Sequence, residues 1–354
     1  MHISENELVT LLLCSDLAIN DHQTPLSDAA YSAFAMALFK EGKEPKDLLS
    51  MRADDILSIY EKYKSEVFSH CRTSDFHQRI PSLLKRHQQL TIVLSNLETI
   101  GLNVVTRANK DLYPKKIRNK LRRGGAPIPS VLFYAGDISL IDRLPAVAIV
   151  GSRDLTADST ADRFTREFAA TAINSGYAIS SGGAKGIDQL ALETAISSGG
   201  RSIITVSDSL KKKIREPSVR NEIINGDSLF LSMTSPDARF AGYNAMARNK
   251  MIYAAADYSM VVTCDYKTEN RNGRNAISMT KGGTWVGAHE CATRHLSNLM
   301  VRDSSNALKG NAELIKTIDC IPVREDDVFN GASFDQLIQP QQGHQTDLFQ
   351  DVQP

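Results

Sequence analysis

The chain has 354 residues, which at a soft prior of about 150 residues per domain corresponds to two domains, and its 42% apolar content suits an ordinary core. Its 41 basic and 41 acidic residues cancel, so any attraction for nucleic acid must come from local clusters. The five cysteines form no CxxC pair, no apolar run approaches the ~20 residues of a membrane helix, and MHISENEL has no basic region followed by an apolar one. These features argue against a disulfide framework, a regular zinc site, a membrane span and a secretory signal, and point to a cytoplasmic protein with reduced thiols.

Residues 1–100 read as a small helical domain. Apolar residues recur at helical spacing over Glu5–Cys14, Ala29–Phe39, Asp54–Tyr63 and Leu83–Ile100, and strand-like alternation is absent. This part carries no evident chemistry. LNVVT, from Leu102, then reads as a strand. Eight Lys or Arg and one Asp fall between Arg107 and Arg123, a cluster that either attracts phosphates or forms the solvated face of a short helix. Gly124, Gly125, Pro127 and Pro129 mark a turn before a second strand, SVLFYAG.

From residue 146 to 323 strands and helices alternate. Strands are expected at Ala146–Val150, Tyr177–Ser180, Ser202–Val206, Ser228–Met233, Tyr258–Thr263 and Thr284–Gly287. Helices are expected at Asp158–Ser175, Gly186–Ser198, Ser209–Asn225, Tyr243–Ala256 and Arg274–Thr280. Such alternation is the pattern of βαβ units, hence an α/β domain over residues 101–325 with a mostly parallel sheet and helices on both faces. Residues 326–354, rich in Gln and Asp without periodicity, read as a flexible tail.

Two turns stand out. AVAIV leads into Gly151-Ser152-Arg153, and YAIS leads into Ser181-Gly182-Gly183-Ala184-Lys185-Gly186. Ligands of open parallel sheets bind beyond the carboxyl ends of the strands, where such turns lie. Glycine lets backbone amides approach a ligand, and the helix start that follows favours negative charge. The two turns therefore read as two halves of one anion site, with one cation each in Arg153 and Lys185. A third piece, Arg248-Asn249-Lys250, combines cations and amides at an expected helix start. The anion is a nucleotide phosphate or a nucleic-acid backbone. GxGxxG, a Walker A loop, HExxH and GxSxG are all missing, so no cofactor and no catalytic centre is expected, and His289, Glu290, Cys291 and His295 match no usual metal spacing.

VAIVGSR, SSGGAKGID and ARNKMI, with VVTRANKDLYPKKI and PIPSVLFYAGD ahead of them, resemble the ordered blocks of the DprA/Smf family of DNA-processing proteins. The likeness runs from about Leu97 to Val323. It implies an extended Rossmann-like domain without a nucleotide-hydrolysing centre. It further implies single-stranded-DNA binding in a basic pocket, homodimerisation and delivery of the strand to the RecA recombinase. Carried over by motif, Arg153, Lys185 and the amides of Gly182–Gly186 would contact phosphates, Arg248, Asn249 and Lys250 would complete the pocket, and Asp188 would orient the loop. Lys185 stands where the family usually has Arg, and VSDSLKKKIREPS replaces its glycine-rich turn.

In the tail, Gln345-Thr346-Asp347-Leu348-Phe349 resembles the sliding-clamp-binding pentapeptide, with Leu348 and Phe349 as apolar anchors and Gln345 and Asp347 as polar positions. Three readings follow: a DprA-like factor that binds single-stranded DNA; a nucleotide-binding sensor or nucleotide-processing enzyme on the same fold, in phage defence for example; and an adaptor that works through its tail and its helices.

Overall fold

The computed structural model describes residues 3–17, 24–69, 71, 76–270 and 277–339. Among them, nine strands form one sheet: β1 (Asn103–Thr106), β2 (Val131–Ala135), β3 (Ala146–Val150), β4 (Ala178–Ser181), β5 (Ser202–Thr205), β6 (Ser228–Ser232), β7 (Tyr258–Val261), β10 (Asn298–Asp303) and β11 (Ile321–Arg324). β8 (Tyr266–Asn270) and β9 (Ile277–Lys281) form a separate hairpin. The order in the large sheet is β1-β2-β6-β5-β4-β3-β7-β10-β11. All pairings from β6 to β11 are parallel, while β1 and β2 are added antiparallel at one edge.

β3 is buried along its whole length and its sequence, AVAIV, is correspondingly apolar at every position. Strand alternation sends Val147 and Ile149 into the core on one face, and Ala146, Ala148 and Val150 into the core on the other. Helices Ala161–Asn174 and Ile187–Ser197 cover the first face. Helices Lys115–Arg123, Gly242–Ala255 and Gly283–Arg294 cover the second. From β3 the order runs one way through β4, β5 and β6 and the other way through β7, β10 and β11, so the strand order reverses between β3 and β7. A crevice opens beyond the carboxyl ends of the strands at such a point.

The amino-terminal helices, Glu5–Cys14, Asp28–Lys40, Ala53–Tyr63, Phe76–Leu84 and His87–Thr99, have a core of their own around Phe34, Ile56, Tyr60 and Leu83. They are also fused to the sheet. Leu11, Leu12, Leu90 and Leu94 share a second core with Val131 and Phe133 of β2 and Ile204 of β5. The buried Arg86 bonds to the carbonyls of Leu12, Ser15 and Leu17, which fastens the last helices to the first.

Several expectations need correction. Thr284–Gly287 is no strand: it lies in the helix Gly283–Arg294, where Trp285, Ala288 and Cys291 bury at a three-residue spacing. The β-forming look of Thr-Trp-Val is overridden by that spacing. Residues 277–280, expected to be helical, instead belong to β9 and pair with β8 from Asn270↔Ile277 onward, whereas residues 274–276 lie outside the described set. The single helix expected over Leu83–Ile100 breaks between Leu84 and His87, and that over Ser209–Asn225 breaks before Pro217. β10 and β11 had no counterpart in the sequence reading. Residues 326–339 are not the start of a loose tail either: Phe334 is fully buried, with its ring 4.5 Å from that of Tyr177 and 5.7 Å from that of Tyr258.

Candidate functional site

The turns that follow β3, β4 and β7 are stitched together at the crevice. Ser152 N–H donates to Thr263 Oγ1 at 2.7 Å, Ile187 N–H donates to the Ser152 carbonyl at 3.2 Å, and the Thr284 hydroxyl donates to the Gly151 carbonyl at 3.3 Å. Two glycines make this contact possible. Gly186 has φ +81°, and a Cβ there would fall 2.4 Å from the Ser152 carbonyl oxygen. At Gly182 a Cβ would lie 1.5 Å from Arg248 Nη1, so no side chain fits.

Arg248 and Asp188 form the underside of the glycine loop. Arg248 is only 6% exposed and donates from Nη1 to the Thr205 carbonyl at 3.0 Å. Its Nε has no hydrogen-bond partner among the described residues, nor does Thr205 Oγ1. Asp188 accepts from Gly182 N–H at 3.2 Å. Burial pushes the Asp188 carboxyl up, against the pull of the Arg248 charge and the amides of Ala184 and Gly182. Burial likewise lowers Arg248, Asp188 opposes it, and the neighbouring Arg153 charge adds to the lowering. A guanidinium keeps its proton regardless. Two arginines held close together, one of them with an idle buried N–H, make an environment in which an anion is stabilised.

Arg153 and Lys185 are exposed above this frame, and neither forms an ion pair among the described residues. Two adjoining grooves meet at Arg153, Ala184 and Arg248. One, about 380 Å³, runs under Ser152 toward Asn249, Asp265 and Thr284. The other, about 460 Å³, runs past Gly183 and Lys185 toward Ser207, Asp208, Lys212 and Phe240. Both volumes fall within the ~300–1,000 Å³ range of small-ligand sites. A larger cavity, about 890 Å³, lies elsewhere between Lys120, Asp257, His295 and the outer strand β11. It mixes acids with bases and has no glycine loop, so size alone is a poor guide here.

The remaining residues singled out from the sequence divide. Ser181 is fully buried and its hydroxyl donates to the Ile149 carbonyl at 2.7 Å, so it braces two strands. Asn249 lines the first groove, and its Nδ2 donates to the Gly283 carbonyl at 3.4 Å. Lys250 does not join them. It pairs with Glu290 at 3.3 Å and lines a further groove beside Val286, which shares Met246, Asn249 and Gly283 with the first, because successive helical residues point about 100° apart. These three residues also sit in the middle of the Gly242–Ala255 helix, not at its start, so they offer side chains rather than free amides. Gln345, Asp347, Leu348 and Phe349 lie outside the described residues.

Sequence reasoning passed over Lys212, Phe240, Thr263 and Thr284. Lys212 had a signal: LKKK begins four residues after the carboxyl end of the expected strand Ser202–Val206. Its two neighbours are engaged, Lys211 with Asp237 at 3.0 Å and Lys213 with Glu216 at 2.9 Å, which leaves Lys212 exposed at the groove. Of the denser basic run at Arg107–Arg123, the helix Lys115–Arg123 lies at the opposite edge of the sheet, whereas Arg107 directly follows β1, which runs parallel to β6 and so ends at the carboxyl edge. Lys116 pairs with Asp257 at 2.9 Å, and Asp257 in turn accepts from Ala146 N–H at the amino end of β3. Among the described residues there is no group of three or more His, Cys, Asp or Glu placed to hold a metal ion. None of the described helices is long and apolar enough to cross a membrane.

The model of the DNA recombination-mediator protein A family matches residues 103–273, the stretch from β1 through the loops of the crevice to the start of the hairpin. Among curated proteins, DNA processing protein DprA of Streptococcus pneumoniae is 33% identical over 125 residues, 35% of this chain and 43% of that protein. Protein Smf of a Synechocystis species is 26% identical over 208 residues, 55% of this chain and 50% of that protein. The matched stretches thus span about half the length of those relatives or less. The X-ray structure of DNA processing protein A from Streptococcus pneumoniae superposes with a TM-score of 0.62 at 19% identity, covering 94% of this chain and 99% of that one, which is a likeness of fold. Sequence blocks, family model and relatives agree that residues 103–273 form a DprA/Smf-family domain, and the fold matches it.

Proposed function

We propose that this protein binds single-stranded DNA at the carboxyl edge of its sheet, with a role in DNA processing during recombination. The observation that carries the reading is the set of three exposed cations, Arg153, Lys185 and Lys212, which form no ion pair among the described residues and are ranged around the glycine loop at the strand-order reversal. Exposed cations beside backbone amides suit phosphates, and a row of them suits a chain of phosphates better than one. The protein then acts by binding, not by bond-making. Delivery of the strand to RecA, homodimerisation, a cytoplasmic location and recruitment to the sliding clamp through Gln345, Asp347, Leu348 and Phe349 belong to the same proposal and rest on sequence likeness.

The test is fluorescence anisotropy with labelled single-stranded and double-stranded DNA at two salt concentrations. Wild type is expected to prefer the single strand and to lose affinity steeply with salt. Lys185→Ala and Arg153→Ala are expected to weaken binding by about tenfold each, the scale of one charge-assisted contact. Wild-type affinity in both variants would remove the site assignment.

A second reading, a nucleotide sensor, is favoured by the first groove alone, whose size, with Ser152, Arg153 and Asn249 in its lining, suits a mononucleotide. It predicts that a discrete nucleotide raises the melting temperature at low concentration while DNA does not.

A further inference from the structure

We propose that the β8–β9 hairpin is an arm for duplex DNA, which enters a groove of the duplex adjoining the bound single strand; this rests on the DNA-binding reading above. The hairpin is hydrogen-bonded to no strand of the large sheet, and its extensive contacts are between its own two strands. Its root, by contrast, is firmly built. Asn311, only 1% exposed in the helix Lys309–Thr317, accepts from Cys264 N–H at 2.8 Å and donates to the carbonyls of Val262 and Arg302 at 2.9 and 3.0 Å. Beside it, a Cβ at Gly310 would fall 2.1 Å from the Cys264 carbonyl oxygen, so this helix presses directly on the chain that enters the hairpin. The two feet of the hairpin, Asp265 and Gly282, both line the first groove. Five residue pairs, at ~3.4 Å per residue, make an arm about 17 Å long rooted at the mouth of the crevice.

Charge selects the class of partner. The chain as a whole is neutral, yet from Tyr266 to Lys281 the sequence has four Lys or Arg against one Glu. Of the four, Arg271 and Arg274 lie outside the described residues, while Lys267 and Lys281 belong to the strands. The register sets Lys267 opposite Thr280 and Lys281 opposite Tyr266, one step apart, so the two lysines fall on opposite faces near the root. Shape selects the form of nucleic acid. Grooves of about 380 and 460 Å³ take one strand, so where that strand meets its complement the duplex has to stand off from the sheet, beside the arm. The major groove, ~12 Å wide and ~8.5 Å deep, admits a two-stranded β-ribbon. A ribbon that enters end-on turns one face toward each phosphate backbone, and cations near its root meet the rim of the groove. The family model ends at residue 273, inside the hairpin, so the shared blocks stop short of its return strand.

The experiment uses two labelled probes, an oligothymidine and a duplex that carries the same oligothymidine as a single-stranded tail. It compares wild type, Lys267→Gln/Lys281→Gln, and a shortened chain in which Asn-Gly replaces residues 267–280, joining the facing pair Tyr266 and Lys281 by a two-residue turn. Wild type is expected to bind the tailed duplex about tenfold more tightly than the oligothymidine, the scale of a charge-assisted contact. The shortened chain should bind both probes alike, at the wild-type affinity for oligothymidine. The double lysine variant should fall between, with a salt slope lower by about 2 on the tailed duplex alone. If the shortened chain melts early, the double lysine variant decides. Equal affinity of wild type for the two probes overturns the proposal and leaves the DNA-binding reading standing. So does a tenfold advantage that survives both changes, or an equal loss on both probes, since the hairpin would then serve only the single strand. If wild type binds neither probe at low salt, both readings fall.

Discussion

Both edges of the main sheet are rich in lysine and arginine, and they use them in opposite ways. At the amino edge Lys116 and Lys120 are occupied. Lys116 bonds to Asp257 and to the Leu144 carbonyl, both at 2.9 Å, and Lys120 bonds to the Ala256 carbonyl and lies 3.8 Å from the same aspartate. Asp142 accepts the first amides of their helix at 2.7 Å. At the carboxyl edge one arginine is consumed completely by structure: Arg302, fully buried between Asp158 and Glu325. Arg153, Lys185 and Lys212 are left over. The density of basic residues in a sequence therefore does not report where positive charge is available. That depends on which carboxylates the fold brings to them.

The largest expected effect comes from Arg302→Ala. It would strand Asp158 and Glu325 in the interior and is expected to cost about 3–5 kcal/mol, read as a lowered denaturant midpoint. Asp158 lies in the turn that follows Arg153, so the same variant should also loosen the binding edge. Next comes the double variant Arg153→Ala/Lys185→Ala. It is expected to lose about a hundredfold in affinity for single-stranded DNA at low salt with an unchanged melting temperature, because both side chains are exposed and unpaired.

The amino edge should respond to pH instead. Burial, only partly offset by Asp257, pushes the Lys120 ammonium down to about 8 from its ordinary value near 10.5. Between those values the unfolded chain holds more protons than the folded one, so the contribution of this residue to stability rises with pH. The cost of the buried charge is present in full below about 8 and is relieved as the pH climbs toward 10.5. Denaturation curves of wild type against Lys120→Met should accordingly shift in favour of wild type, by something on the order of 1–3 kcal/mol, across that window. The smallest effect is a null one. Lys116→Ala/Lys120→Ala, although it removes two cations from the densest basic run, should leave the DNA affinity and its salt slope as they are. A fall in the salt slope would erase the contrast between the edges and extend the binding surface to the amino side.

Much of the α/β frame was legible because its signals are local. Ala146–Val150 coincides with β3 to the residue, and the neighbouring strands shift by one or two positions. Strands buried on both faces read as plain apolar runs, and glycine-rich turns close them. Where signals conflicted the reading failed. Thr-Trp-Val looked like a strand inside a helix, and residues 277–280 of the expected helix Arg274–Thr280 belong to the return arm of a hairpin. β10 escaped notice because its short apolar core runs straight into Arg302, whose burial depends on Asp158, 144 positions away. Residues 326–337 looked like tail because their composition is polar, and the ring cluster of Tyr177, Tyr258 and Phe334 explains why they pack.

The candidate site divides along the same line. The two glycine turns and their exposed cations could be read directly, since small residues at strand ends are a short-range pattern. Lys250 could not be separated from Arg248 and Asn249, because only its distance from Glu290 decides where it points. By itself, then, the sequence determined the alternation of strands and helices and the positions of the turns, since periodicity and glycine act over a few residues. Only the tertiary structure decided which cations stay exposed without an ion pair among the described residues, because a lysine or arginine is neutralised by residues as far off as Asp257 is from Lys116, 141 positions along the chain.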